Sequence, residues 1–231
     1  MTDGSILQRD FYKRDALTVA RELIGKTLVR YTDDGCRLAG IISETEAYMG
    51  VADRASHAYG GRRTARTETM YLPGGHAYVY LIYGIYSCMN ITANDAEIPE
   101  AVLIRAVVPC DGEAEMYSRY LKNGRRRRYA ENSAFPDKKT LYSITSEPGK
   151  LCVSMDIGRG QNAYDMTAGN PDNTSHGGFY VSDEGYVPTE IAELPRVGID
   201  YAGESALYPW RFTVPLQCGV PAFDRSNKIT K

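Results

Sequence analysis

The spacing of apolar positions divides the chain into a short series of elements. Leu17, Ala20, Leu23 and Ile24 recur three and four apart, the period of one helix face. Asp15 can cap that helix, and Gly25 stands where a C-terminal glycine belongs. Lys26 to Tyr31 reads as a strand, Asp33-Asp34-Gly35 as a turn and Leu38 to Tyr48 as a second strand. Gly50 to Arg66 is loop-like, rich in Gly, Ala, Arg and His. Ala77 to Tyr83 and Tyr86 to Thr92 are full of aromatic and β-branched residues and meet at Tyr83-Gly84-Ile85, which predicts a β-hairpin with glycine at its tip. A strand follows over Ala101 to Val108, then a helix over Glu113 to Lys122 that stops at Asn123-Gly124. Arg125 to Lys139 holds a proline and no apolar period, so it reads as a loop. Pro148 is placed to start a helix, with the apolar stretch Leu151 to Ile157 behind it. A turn-rich acidic stretch comes next, and Arg211 to Gln217 is the last strand. The sum is a single α+β domain over residues 1–231, with a curved, mostly antiparallel sheet, flanking helices and a protruding β-hairpin.

Composition narrows the class without naming it. A chain of 231 residues with 43% hydrophobic and 24% charged residues buries one ordinary core. No apolar run approaches the ~20 residues of a membrane span, and the polar start lacks a signal peptide's apolar centre. The cysteines (Cys36, Cys88, Cys110, Cys152, Cys218) are odd in number and form no C-x-x-C pair, which points to reduced thiols in a cytoplasmic protein. Three histidines leave little room for a histidine-built metal site. The net charge of −2 hides an asymmetry: Glu115 to Lys139 carries eight basic and three acidic residues, Asp156 to Glu204 two basic and nine acidic. Eighteen tyrosines against one tryptophan and five phenylalanines suit a wet surface that stacks on flat ligands.

Three segments carry candidate chemistry. Alternation puts Glu44, Glu46 and Tyr48 on one face of a strand, offering either a carboxylate beside an aromatic ring or an ordinary solvent-facing strand. The loop Ser56-His57-Ala58 to Gly60-Gly61-Arg62-Arg63-Thr64-Ala65-Arg66 combines arginines with residues that let a backbone approach phosphates; a solvated loop has the same composition. Tyr83, Ile85 and Tyr86 around Gly84 are bulky for a hairpin tip. They fit a wedge pushed into a base stack, or a hairpin buried against the domain.

Taken in order, these segments resemble the alkyladenine (3-methyladenine, methylpurine) DNA glycosylases. The likeness runs through Phe11 to Arg30, Glu44-Thr45-Glu46-Ala47-Tyr48, the His57 to Arg66 loop, Pro73-Gly74, Tyr78 to Ile91 and Leu103-Ile104-Arg105-Ala106. It continues through Pro148 to Cys152, Pro195-Arg196-Val197-Gly198-Ile199 and Pro209-Trp210-Arg211-Phe212. The resemblance implies a base-excision-repair enzyme that flips alkylated or deaminated purines (3-methyladenine, 7-methylguanine, hypoxanthine) from duplex DNA. It would hydrolyse the N-glycosidic bond and leave an abasic site. It implies no metal and no organic cofactor, a monomer acting on double-stranded DNA with damaged purines, and no membrane. The place of action would be the nucleoid of a bacterium or the nucleus of a eukaryote.

Residue by residue, the resemblance makes Glu46 the base that activates water, with Arg105 and the Val197 carbonyl helping to hold that water. Tyr48 and His57 would sandwich the flipped base and Tyr80 would meet its edge. The backbones of Ala55 and His57 would read its hydrogen-bonding edge, and Asn90 would crowd the exocyclic amine of normal guanine. Tyr83 would be the wedge, with Ile85 and Tyr86 beside it, and Arg62 and Thr64 would lie near phosphates. Thr67 and Ser146-Glu147 depart from the family pattern, so a loop contact and a phosphate-side contact are expected to weaken. The Arg125 to Arg128 run falls where the family varies and reads as either a DNA-contacting insertion or a solvated loop, and the acidic stretch after Asp156 is expected to face away from DNA. Two rival readings are a sugar glycosidase using Glu44 and Glu46 as its pair, and a nucleic-acid-binding module with no need of Glu46.

Overall fold

The computed structural model describes residues 4–123, 135–168 and 178–225. The strands are β1 (Ser5–Ile6), β2 (Thr27–Tyr31), β3 (Arg37–Tyr48), β4 (Ala77–Ile82), β5 (Tyr86–Ala93), β6 (Glu100–Asp111), β7 (Phe179–Asp183), β8 (Tyr186–Pro188), β9 (Ala192–Leu194), β10 (Arg211–Thr213), β11 (Leu216–Gln217), β12 (Val220–Pro221) and β13 (Phe223–Arg225). The helices are α1 (Arg9–Tyr12), α2 (Ala16–Leu23), α3 (Glu113–Asn123), α4 (Lys138–Ser143) and α5 (Pro148–Ser154). The main sheet runs β1-β7-β2-β3-β6-β5-β4, with β10 joined to β3 and β9 to β10; every pairing in it is antiparallel. The expected α+β class is what the chain adopts.

Helix α2 forms where the period places it. Asp15 accepts from the Thr18 amide at 3.0 Å and from its hydroxyl at 2.7 Å, closing the N-terminus. Ala16, Val19, Ala20 and Leu23 bury one stripe against the sheet, and α5 adds Leu151 and Cys152 to the same core. Several elements differ from the sequence reading, among them three in the second half of the chain. α4 starts at the edge of the stretch assigned to a loop, capped by Asp137, whose side chain accepts from the Thr140 amide. β7 lies in the region read as turns. The strand predicted over 211–217 ends at Thr213, before Pro215, and is not the last, because β11, β12 and β13 follow it.

One irregularity in the sheet matters for function. β3 pairs β6 as Ile42↔Val107, then Glu44↔Ala106, then Thr45↔Ile104, so Ser43 and Arg105 are left without a partner. A bulge of one residue on each strand turns the alternation over. Before it Leu38 and Ile42 face the core; after it Ala47 does, and the Thr45 hydroxyl donates to the Ala20 carbonyl. Glu44, Glu46 and Tyr48 therefore emerge on the face opposite α2. Without the bulge, Glu46 would point into the apolar core.

Candidate active site

The face opposite α2 closes a cavity of about 320 Å³. Glu46 sits in its wall with no exposed surface, which removes the reading of a solvent-facing strand. Its Oε1 accepts the Val197 amide at 2.8 Å and lies 3.3 Å from Arg105 Nη1; its Oε2 accepts the Tyr48 hydroxyl at 2.9 Å. Burial pushes the Glu46 carboxyl above its ordinary value, against the pull of Arg105, the Val197 amide and the Tyr48 hydroxyl. A carboxylate with a raised pKa and fixed donors can take a proton from a molecule bound beside it.

Arg105 comes from the bulge on β6. Its Nε donates to Glu44 Oε1 at 2.8 Å, and Arg211 on β10 donates to the same oxygen at 3.0 Å. The two carboxylates thus do different jobs: Glu44 is held by two guanidinium groups, whereas Glu46 faces the cavity.

The aromatic residues form the remaining wall. His57 Nδ1 lies 2.9 Å from the Tyr78 hydroxyl, and its ring meets Tyr80 edge-on at 4.6 Å. Burial, helped by the charges of Arg66 and Arg62, pushes His57 down to about 4, so its imidazole is neutral at physiological pH. A neutral ring can stack on a cationic ligand without repulsion. Asn90 is buried beside it and donates to the Tyr78 carbonyl at 3.1 Å. Ala55, Tyr48, Tyr80 and Val197 also line the cavity, so every residue expected to touch the base or the attacking water comes to this one place.

Behind the wall stands a pair that the sequence reading quoted only in passing or missed. Arg196 is buried and donates to Asp53 through both terminal nitrogens, at 2.5 and 2.8 Å, and to the carbonyls of Ala47 and Ser205. Its guanidinium also lies 4.8 Å from the Tyr48 ring centre and 4.9 Å from that of Trp210. Asp53 accepts in turn from the Ala55 and Met49 amides. This staple fixes the Tyr48 ring, the Ala55 turn and, through the next residue, the Val197 amide. Charged residues this far apart in sequence carry no spacing signal.

The hairpin tip stands at the mouth. Tyr83 is 86% exposed, Ile85 59% and Tyr86 39%, so the tip is not buried against the domain. Tyr83 and Gly84 both have positive φ, at 53° and 70°. Glycine adopts that region freely, but a tyrosine there is strained, a condition that gathers at functional positions. Tyr86 differs from its neighbours: α5 approaches it so closely that a Cβ on Gly149 would lie 3.2 Å from it, making it a footing for the tip.

Arg62 and Thr64 are exposed on the loop beside the cavity. Thr67 is buried and accepts the Thr64 amide at 2.8 Å, with its hydroxyl 3.3 Å from the Arg62 carbonyl, so it ties this loop together from within. Glu147 precedes α5 as expected and is paired with Lys150 at 2.8 Å, which offsets its charge. From the acidic stretch, the uncharged residues Gly198, Ile199 and Tyr201 line the cavity with Val197. The Arg125 to Arg128 run lies outside the described residues. No cluster able to hold a metal ion occurs among the described residues, and no helix among them is long and apolar enough to cross a membrane.

The cavity thus joins a buried carboxylate to an aromatic wall beneath an exposed tyrosine. The methylpurine-DNA glycosylase profile matches residues 10–217. A protein of Clostridium acetobutylicum named "Putative 3-methyladenine DNA glycosylase" is 46% identical over 210 residues, covering 90% of this chain and 93% of the relative. One of the same name from Methanocella arvoryzae is 46% identical over 207 residues, covering 90% and 91%. The chain belongs to the methylpurine-DNA glycosylase family. It is a DNA glycosylase of DNA-damage repair, a hydrolase of N-glycosyl bonds.

Proposed function

We propose that residues 1–231 act as one monomeric glycosylase domain that flips alkylated or deaminated purines from duplex DNA. The domain hydrolyses their N-glycosidic bonds and stops at the abasic site. The observation that carries this reading is Glu46: fully buried, held by two hydrogen-bond donors and the Arg105 ion pair, and aimed into a cavity walled by Tyr48, His57 and Tyr80. The substrates are 3-methyladenine, 7-methylguanine and hypoxanthine. The names of the relatives support the first.

In this mechanism Tyr83 enters the stack as the target nucleotide leaves it. Tyr48 and neutral His57 hold the faces of the base, Tyr80 its edge, and the backbones of Ala55 and His57 read its polar edge. Asn90, fixed by the Tyr78 carbonyl, crowds the exocyclic amine of normal guanine, which lacks the positive charge that makes 7-methylguanine a good leaving group despite the same contact. Water attacks C1′ as the bond to the base nitrogen breaks and its electrons pass to the base. The water's proton goes to Glu46, whose charge also stabilises the oxocarbenium-like sugar. Arg105 and the Val197 carbonyl orient the water, while the Val197 amide holds the carboxylate. A base methylated at N3 or N7 is already cationic and leaves as a neutral molecule, so holding it is most of the task. No lysine is among the described residues lining the cavity, which supports release without a Schiff base and without strand cleavage. Arg62 and Thr64 meet phosphates.

Duplex DNA treated with a methylating agent, and a second duplex containing hypoxanthine, test this reading when incubated with the protein in EDTA. The free purines should appear and the strand should remain intact until alkali cleaves it. No released base, release that needs a metal, or a strand cut without alkali would contradict it.

A further inference from the structure

Glu44 has no part in the mechanism above, yet it is held as firmly as Glu46. Its Oε1 accepts from Arg105 Nε at 2.8 Å and from Arg211 Nη1 at 3.0 Å, with side chains only 12%, 13% and 21% exposed in that order. The same Arg105 lies farther from Glu46, at 3.3 Å through Nη1. Arg211 also donates through Nε to the Pro195 carbonyl at 2.8 Å, two residues before the Val197 amide that grips Glu46. β10 therefore anchors both of the groups that steady Glu46: the carboxylate that shares Arg105 and the loop that carries the amide.

We propose that Glu44 is a positioning residue. It draws Arg105 toward itself, keeps that guanidinium from pairing fully with Glu46, and so preserves Glu46 as a base rather than half of a closed ion pair. The inference rests on the reading of Glu46 as the general base. A carboxylate locked in a short, fully shared ion pair has its charge satisfied and is a poor proton acceptor. Two carboxylates dividing one guanidinium leave charge on the one facing the cavity. The double bulge explains how this is built: it puts Glu44 and Glu46 on one face and releases Arg105 from the ladder to lie between them. The groups that bear on Glu46 come from every neighbouring element: Glu44 and Tyr48 on β3, Arg105 on β6, Tyr80 and Cys88 on β4 and β5, and the Val197 amide from the loop. Of the charged members, Arg105 alone touches both carboxylates.

The test follows the Glu46 carboxyl directly. Carbon NMR of protein labelled at glutamate carboxyls, with the Glu46 signal assigned through Glu46→Gln, gives its titration in each variant. Single-turnover release of hypoxanthine gives the rate. Glu44→Gln should lower the Glu46 midpoint by about one pH unit, because a like charge is lost and Arg105 closes on Glu46. The acid limb of the rate should move with it and the plateau should fall about tenfold; Glu44→Asp should recover part of both. Arg211→Met should shift the midpoint upward, since Glu44 then takes more of Arg105, and this opposite sign decides the matter should Glu44→Gln fold poorly. An unmoved Glu46 midpoint in Glu44→Gln, or a downward shift in Arg211→Met, overturns the proposal. Normal release by Glu46→Gln would instead defeat the base reading, and the two NMR shifts would still report whether Glu44 governs Arg105.

Discussion

The cavity wall and the hairpin tip solve opposite problems with the same few residue types. At the wall the working groups are buried and held: Glu46 has two hydrogen-bond donors and the Arg105 ion pair, Arg196 gives its terminal nitrogens to four acceptor atoms and His57 is tied to Tyr78. At the tip, Tyr83 and Ile85 stand in solvent, and Tyr83 is held in a backbone conformation that suits glycine better. Chemistry needs groups that do not reorganise when charge develops, so it is placed where the sheet can over-determine them. Entry into a base stack needs a ring whose burial is completed by the partner, so it is placed where the protein itself gives it no partner. If this division is right, a lesion in one region should spare the measurement that reports on the other.

The largest separation should come from Glu46→Gln. The amide keeps the shape but cannot accept the water's proton, so single-turnover release should fall by about 10²–10⁴-fold while affinity for lesion DNA stays near that of the parent. The fold should not suffer. Burial raises the folded pKa of Glu46, so its ionisation opposes folding. The parent should be stabilised by this group only at low pH and lose that stability as pH rises through the folded pKa. The amide does not titrate, so Glu46→Gln should gain in melting temperature relative to the parent across that rise. A variant that melts below the parent at pH 7 would count against the burial argument.

Tyr83 should give the mirror image. Tyr83→Ala should cost about 1–3 kcal/mol in affinity for lesion and abasic duplexes, the worth of one base–aromatic stack, with little change in melting temperature. Tyr83→Gly sharpens this, because it also removes a side chain from a left-handed position. It should bind as weakly as Tyr83→Ala yet be more stable by roughly 1 kcal/mol. A large loss of stability with unchanged affinity of the folded fraction would make Tyr83 a packing residue.

An intermediate effect is expected in the pH profile. Release of hypoxanthine, which is neutral, should rise with pH along an acid limb lying above the ordinary carboxylate range, because Glu46 must be ionised and burial resists that. His57, neutral above about 4, should add no limb near neutrality. A limb near pH 6–7 that vanishes in His57→Gln would show a charged imidazole taking part.

The smallest effect concerns the loop. Arg62→Ala should flatten the plot of log affinity against log salt by about one, whereas Tyr83→Ala should leave the slope unchanged. Arg63 is already engaged by Glu68 at 2.7 Å and Glu97 at 2.5 Å, so Arg63→Ala should alter the slope less.

Legibility along the chain followed how local each signal was. α2 could be read because its cap, period and terminal glycine all lie within eleven residues. The β4–β5 hairpin could be read because strand composition and turn chemistry lie side by side. The face shared by Glu44, Glu46 and Tyr48 followed from alternation alone, since Ser43 and Arg105 interrupt the pattern just before it begins. That Glu46 is buried did not follow, because burial comes from β6, β10 and the Val197 loop, all distant in sequence. The separate offices of the two glutamates, and the Arg196–Asp53 staple behind Tyr48, were hidden for the same reason. α4 and β7 were missed because each is short and follows a charged or turn-rich stretch. Thr67 was read only as a departure in residue type; its hydroxyl's bonds to the Thr64 amide and the Arg62 carbonyl depend on the folded loop and carry no signal in sequence.

The most direct measurement follows flipping and release in one reaction. A duplex carrying hypoxanthine beside a fluorescent base analogue brightens as the target leaves the stack, and quenched samples count the freed purine. For Glu46→Gln the fluorescence rise should match the parent while release is almost abolished. For Tyr83→Ala the rise should shrink, and release should fall only in proportion to the flipped fraction. If Glu46→Gln loses the fluorescence rise, or if Tyr83→Ala flips like the parent yet fails to release the base, the division between a chemical wall and a recognising tip is wrong.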